Sequence, residues 1–600
     1  MIRTPLRPLA RILDARRRGE NPDAIERENL RLRNEQRRDR ARARAEGRLL
    51  VLALVFFGAF ALVGARMGIE AASEPREPRV AASAGAAISA GRADIVDRRG
   101  RVLATNLVTH SLYAQPPLMI DPPRAARELA AIFPDLSEET LLRQFTTPGR
   151  KFMWLKRRMS PEQIQQVHEI GDPGLLFGPR EMRLYPNGRL AAHVLGGASF
   201  GREDVRAAEV IGVAGVERAF DAELRDPAAA ATPLRLSLDL TVQSAAREVL
   251  EGGVRMLNAK GGTAIIMDAR TGEIVTLVSL PDFDPNARPL PLAEGDAADS
   301  PLFNRAVQGV YELGSVFKAF AVAQALDEGL IDLETPIDTR QPLTWGRFRI
   351  TDYRHRGNSQ PLWEVFVHSS NVGTARIAQQ IGAERQREFL EKLGLLAPVP
   401  VELSEAPSGR PLVPPNWSEL STMTISYGHG LSSSPLHLAA AYAPLVNGGT
   451  RVTPTLVHRP RAEPGPRVIS PETSAAMRKL MRGVVTEGTA SFAEVAGYAV
   501  GGKTGTADKP RAQGRGYEEG KVIATFAGAF PMDDPKYVVV VTLDEPVETS
   551  GAEPRRTAGW TAVPVAAEII RRTAPLLGLR PQIARPAPDA ITPVRSSARN

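Results

Sequence analysis

LLVLALVFFGAFALVGA, residues 49 to 65, runs for seventeen residues without a charge or a proline, and Arg48 and Arg66 close it at its two ends. Few places in a fold accept so apolar a stretch. As a helix rising about 1.5 Å per residue it spans roughly 25 Å, near the short limit for a bilayer core, with arginines able to snorkel at both ends. The expectation is a single transmembrane anchor over 49–66. A buried core helix is the alternative, yet such helices seldom carry a dense arginine block on one side only. A cleaved signal peptide fits poorly, because 48 preceding residues exceed its charged region.

That preceding block also explains the charge. Fifteen arginines against eight acidic residues between positions 1 and 48 supply +7 of the chain's +8. The basicity is a tail property, and no nucleic-acid partner is expected. By the positive-inside rule the arm 1–48 is cytoplasmic and everything after residue 66 lies outside the inner membrane. The arm has helical composition but no apolar stripe, so it is expected to be solvated or to bind a partner.

With 600 residues the chain has room for two to four domains. It contains no cysteine, which excludes disulfides, thiol nucleophiles and cysteine-ligated metals. Its eight histidines show no metal-ligand spacing, so no metal and no other cofactor is expected. His368 and His429 lie near candidate motifs and are read as structural or surface residues.

Residues 67–91, rich in Ala, Ser and Pro, read as a linker. Residues 92–234 mix short strand-like pieces with charged helical stretches and form a first exported domain. From 235 to 577 the pattern changes. GGTAIIMDARTGEIVTLVSLP is a hairpin signature, and YAVGGKTGT, KVIATFAGAF and KYVVVVTLDEP are three more strands near the far end. Between the two strand groups the chain is mainly helical. Strands at both extremities and helices between them imply an α+β domain with one antiparallel sheet flanked by helices. Residues 578–600 are expected to be disordered.

In the helical region YELGSVFKAF places Ser315 three residues before Lys318, so a helix starting at about Ser315 would put hydroxyl and amine on one face. Alone this spacing is weak, since an N-cap serine and a solvated lysine would produce it too. Two further stretches strengthen it: Ser369-Ser370-Asn371, and Lys503-Thr504-Gly505-Thr506 on a predicted strand. On average composition the three in this order should arise by accident in roughly a few per cent of such chains.

These stretches resemble the three active-site motifs of the penicillin-binding transpeptidases. GRADIVDRRGRVLA near residue 95, with RLYPNGRLAAHVLG and GVAGVERAFDAEL between 183 and 224, is similar to the pedestal, or dimerisation-type, domain of the class B members. Only 26 residues separate Ala65 from Arg92, which leaves no room for the glycosyltransferase domain of class A relatives. SYGHGLSSSPLHLAAAYAPLVNGG and AGWTAVPVAAEIIRRTAPLLGL are most similar to the division-specific, FtsI-type transpeptidases of Gram-negative bacteria. Leu313 departs from the Pro that many relatives carry before Gly-Ser, which puts the rigidity of that turn in doubt.

The resemblance implies a serine-type D-Ala-D-Ala transpeptidase that cross-links peptidoglycan stem peptides during septal cell-wall synthesis. Ser315 would be the nucleophile, Lys318 its base and Ser369 a proton relay. Asn371 would hold the donor's amide; Lys503, Thr504 and Thr506 would bind its carboxylate; and the backbone N–H groups of Ser315 and Thr506 would form the oxyanion hole, with Gly505 between. The implied partners are stem peptides and glycan derived from lipid-linked precursor, β-lactams as covalent inhibitors, a septal glycosyltransferase and other division proteins. The same residues would also suit an elongation-specific transpeptidase, a D,D-carboxypeptidase, or a non-enzymatic β-lactam sensor or division scaffold. Arg183, Tyr185 and Glu217 are read as fold-stabilising.

Overall fold

The computed structural model describes residues 7–72, 91–203, 208–228, 232–459, 465–511 and 516–582. Most of the linker expected at 67–91 and of the tail expected at 578–600 lies outside them. Contacts divide the chain into two units. One comprises Met1–Arg79, Leu112–Leu155 and Pro161–Leu176; the other comprises Val80–Ser111, Lys156–Ser160 and Phe177–Asn600.

In the first unit the apolar run lies within one continuous helix, Pro22–Ala72, and its large side chains from Leu50 to Val63 are exposed. Among the described residues no helix is long and apolar enough to cross a membrane. The expected anchor thus has a continuous helix, but its uncharged part falls short of the roughly 30 Å hydrocarbon core. Two of the unit's shorter helices have side-chain caps. Asp121 accepts from the Arg124 N–H at the start of Pro122–Ile132, and Ser137 caps Glu138–Phe145. Tyr113, Phe152 and Trp154 form an aromatic cluster with centroids 5.1 to 5.7 Å apart.

The second unit carries the sheet that the strand pattern implies. Its strands are β1 (Gly261–Asp268), β2 (Ile274–Leu280), β3 (Gly501–Pro510), β4 (Tyr517–Phe530) and β5 (Tyr537–Asp544), in the spatial order β3-β4-β5-β1-β2, with every neighbour antiparallel. The β1–β2 hairpin turns where Ala-Arg-Thr-Gly predicted it. All residues of β2 and all but Asp268 of β1 are buried, which is why these strands read as apolar runs rather than alternating ones. Helices α1 (Leu240–Met256) and α6 (Ala562–Leu576) pack on each other and on the sheet, while α4 (Pro435–Val446) and α5 (Pro471–Thr486) also pack on it. Helices α2 (Lys318–Asp327) and α3 (Asn371–Ile381) complete the frame around the motifs. β3 ends the sheet, so among the described residues one edge of the strand carrying Lys503 to Thr506 has no strand beside it.

The expected helix start at Ser315 is corrected. Gly314–Phe317 is a 3-10 turn and α2 begins only at Lys318. Gly314 sits at φ +63°, and a Cβ there would lie 2.6 Å from the Thr506 carbonyl oxygen; this left-handed entry lets a tight turn precede the helix.

The charged residues set aside as structural form one buried knot. Glu217 accepts from Arg92 Nε at 2.6 Å, Arg183 Nε at 2.7 Å and Tyr185 Oη at 3.3 Å, and Arg92 also reaches Asp221 at 2.7 Å. These contacts tie Arg92, at the start of the segment, to residues more than 90 positions later, and burial strands any member whose partner is lost. Glu217→Ala should therefore lower unfolding stability by about 3 to 5 kcal/mol, because it leaves the buried Arg183 guanidinium without a carboxylate and Arg92 with Asp221 alone; chemical denaturation beside wild type measures it.

Candidate active site

The three motifs meet in one cleft of about 480 Å³, lined by Ser315, Ser369, Asn371, Thr504 and Thr506 among others. Backbone contact brings them together. A Cβ on Gly505 would lie 2.1 Å from the Leu313 carbonyl oxygen, so only glycine lets the turn before Ser315 lie against β3. On its other side the turn is pinned by α4, whose Tyr442 hydroxyl donates to the Val316 carbonyl at 2.7 Å. Leu313 is fully buried, so packing supplies the rigidity that a proline would have given.

Ser369 stands at the centre. Its hydroxyl lies 3.0 Å from Lys318 Nζ and 2.8 Å from Lys503 Nζ, and both lysines are 0% exposed. Lys318 also donates to the Ser369 carbonyl at 2.6 Å and to Asn371 Oδ1 at 2.7 Å. Ser369 itself adopts φ +65°, a strained value for a serine that directs its carbonyl and its side chain at the same amine.

Burial pushes Lys318 well below its ordinary pKa, the like charge of Lys503 pushes it further, and only Asp352 opposes them. Burial lowers Lys503 to about 7. A neutral Lys318 has two hydrogens and one lone pair, yet it meets three oxygens. The Ser369 carbonyl and Asn371 Oδ1 can only accept, so in that state the Ser369 hydroxyl donates to Lys318 and accepts from Lys503. The arrangement is a path along which a proton can move between the two amines.

Ser315 is half-buried, and among the described residues its Oγ makes no hydrogen bond. The structure places it one turn before Lys318, but every hydrogen bond of the Lys318 amine goes to residues 369 and 371. Catalytic contacts often tighten only when substrate is bound. Asn371 is engaged as well, its Nδ2 donating to the Thr351 carbonyl at 3.0 Å. Thr504 Oγ1 is hydrogen-bonded to Thr489 Oγ1 at 2.7 Å, and Thr506 Oγ1 accepts from the Ala558 N–H at 2.9 Å.

Sequence reasoning missed Asp352. Its carboxylate accepts from Ser370 Oγ at 2.7 Å and from the backbone N–H groups of Asn371 and Val372 at 2.5 and 3.0 Å, so it caps α3 and fixes the second motif. No spacing rule reaches back nineteen residues to find it. Tyr353, Arg354, Arg356, Glu487 and Trp560 also line the cleft and carry no local signature. His368 lines it too, its pKa lowered by burial and by Arg356.

A model of the penicillin-binding protein transpeptidase domain matches residues 262–571, and one of the penicillin-binding protein dimerisation domain matches residues 87–229. This chain belongs to the class B penicillin-binding proteins. It is 36% identical over 558 residues to a probable peptidoglycan D,D-transpeptidase FtsI of Caulobacter vibrioides, covering 90% of this chain and 91% of that one. It is 34% identical to a probable peptidoglycan D,D-transpeptidase PenA of Neisseria gonorrhoeae, over 77% of this chain and 81% of that one. A crystal structure of penicillin-binding protein 3 from Mycobacterium tuberculosis, complexed with aztreonam, shares the fold with a TM-score of 0.61 at 24% identity, over 82% of this chain and 98% of that one.

The electrostatics give a signed expectation. If a neutral Lys318 activates Ser315, the rate of Ser315 acylation rises as pH climbs through the Lys318 pKa. Asp352 raises that pKa and Lys503 lowers it. Asp352→Asn should therefore move the acid limb of the pH–rate profile to lower pH, and Lys503→Ala should move it to higher pH. Shifts in the opposite directions would show that another group sets the limb.

Proposed function

We propose that this protein is the peptidoglycan D,D-transpeptidase of septal wall synthesis, joining stem peptides through an acyl-enzyme on Ser315. The observation that carries the mechanism is the Ser369 hydroxyl held between two buried amines, in a cleft shared with Ser315 and beside the terminal strand of the sheet.

Cross-linking outside the membrane has no ATP, so the new peptide bond must inherit its energy from an old one; an ester to serine conserves it. Ser315 Oγ attacks the penultimate D-Ala carbonyl and gives its proton to Lys318. The negative charge that develops on the carbonyl oxygen is met by the backbone N–H groups of Ser315 and Thr506. As the C–N bond breaks, the terminal D-Ala amine takes a proton through Ser369 and departs. The amine of a second stem then attacks the ester, forms the new amide and returns the Ser315 proton. An extended donor peptide can lie along the edge of β3, with its carboxylate against Thr504, Thr506 and Lys503. Asn371 turns its amide to the donor once Lys318 releases Oδ1. Names of relatives that carry this activity support the reading, and the aztreonam bound by the structural neighbour motivates β-lactams as covalent inhibitors here.

The chain organisation follows the same reading: a cytoplasmic arm 1–48, an anchor at 49–66, a linker 67–91, a pedestal 92–234, a transpeptidase domain 235–577 and a tail 578–600. A helix whose large apolar side chains from Leu50 to Val63 are exposed gains by entering a bilayer, with tilt or local thinning absorbing the short length. The anchor and pedestal are the surfaces proposed for a septal glycosyltransferase and other division proteins.

Intact mass of the detergent-solubilised chain after incubation with penicillin, beside Ser315→Ala, is the test. A single stable adduct is expected on wild type and none on the variant. A folded wild type that takes no adduct overturns the reading in favour of a scaffold.

A further inference from the structure

Glu312 stands three residues before Ser315 and has no part in the mechanism above. The residue is half-buried, lies outside the lining of the cleft and makes no ion pair among the described residues. Both oxygens are used on neutral donors from two separate segments. Oε1 accepts from the Gly430 N–H at 2.7 Å, and Oε2 accepts from the Tyr517 hydroxyl at 3.0 Å.

Each segment leads to a motif. Gly430 belongs to the loop after Tyr427, and in that loop the Gly428 carbonyl accepts from the Gly314 N–H at 3.2 Å, next to the nucleophile. Tyr517 is the first residue of β4 and stands opposite Pro510, the last residue of β3. Holding Tyr517 therefore holds the far end of the strand whose near part carries Lys503 to Thr506. Ring contacts continue the link: Tyr427 and His429 lie 5.4 Å apart, and His429 and Tyr517 lie 6.3 Å apart. The Tyr311 backbone exchanges hydrogen bonds with Ser433 at 3.1 and 2.9 Å, so Glu312 projects from a fixed stretch of chain.

We propose that Glu312 is a positioning residue: a latch that fixes the 427–430 loop and the β3–β4 hairpin relative to Ser315. A carboxylate is suited to the task because it offers two acceptor oxygens to donors on different segments, and charge-assisted hydrogen bonds hold geometry better than neutral ones. Leaving it without a cation keeps it committed to those two donors. Its effect on the reaction runs through the alignment of Ser315 with β3, where a misplacement of about 1 Å is enough to slow chemistry strongly.

The test uses the full chain in detergent and a fluorescent penicillin, separating the equilibrium constant for initial binding from the limiting acylation rate, with thermal melting run in parallel. Glu312→Ala should acylate at least about tenfold more slowly while melting near wild type. Glu312→Gln, whose amide oxygen still accepts from Gly430 and whose amide N–H can donate to Tyr517, should stay within about threefold of wild type. Tyr517→Phe removes only the hairpin arm. It should weaken initial binding, leave the limiting rate near wild type and speed tryptic cleavage after Arg511. Glu312→Gln as slow as Glu312→Ala, Glu312→Ala at the wild-type rate, or Tyr517→Phe with wild-type initial binding and cleavage, overturns the latch. Should Glu312→Ala fail to fold, Tyr517→Phe decides the matter: wild-type initial binding together with wild-type tryptic cleavage after Arg511 overturns the latch. The inference rests on penicillin acylation of Ser315; a wild type that takes no adduct fails that reading, whereas normal acylation with unaffected variants fails this one.

Discussion

Two lysine amines buried around one serine hydroxyl are the constraint to which the rest of the domain answers. Removing an ammonium from water is expensive, and doing it twice within hydrogen-bond reach of Ser369 is tolerable only if at least one proton is given up. A rigid frame must therefore hold the pair. The five-stranded sheet positions Lys503, α2 positions Lys318, and α3 with its Asp352 cap positions Ser369. The Phe366 ring, 5.9 Å from Lys503 Nζ, closes the apolar side of the pocket. Burial thereby lowers the pKa of both amines and favours the neutral form that a base needs.

The frame depends on chain ends meeting. β1 and β2 come from residues 261–280 and the other three strands from 501–544, so the sheet closes across the whole intervening helical region. That closure brings Lys503 to Ser369 across 134 positions of sequence. Backbone approach at Gly505 then sets the Ser315 turn against β3 at a separation no side chain would permit. Each motif is thus placed by a different element, and the site exists only where the three elements touch.

Much of this was legible because it rests on local rules. Hairpin chemistry at Ala-Arg-Thr-Gly, apolar runs that only a doubly covered sheet can bury, and Ser-x-x-Lys spacing each write themselves into a few consecutive residues. Glu217 with Arg92 and Arg183 was legible as structural but not as one knot, since nothing in either segment names its partner. Asp352, the Arg354 and Arg356 rim and the Glu312 contacts were not legible at all. They are ordinary polar residues whose roles come from what the fold sets beside them. The start of α2 shows the same limit on a small scale: spacing favoured a helix from Ser315, and contact with β3 imposed a 3-10 turn instead.

The sequence by itself determined the α+β class, the order of strands and helices, the three motifs and an apolar segment with arginines at its ends. These follow from periodicity, composition and short spacings, which act between neighbours along the chain. The tertiary structure alone decided that Ser369 sits between Lys318 and Lys503, that Asp352 caps the second motif, and that burial lowers both amines. Desolvation and charge coupling depend on distance in space, and residues 134 positions apart have none until the sheet closes.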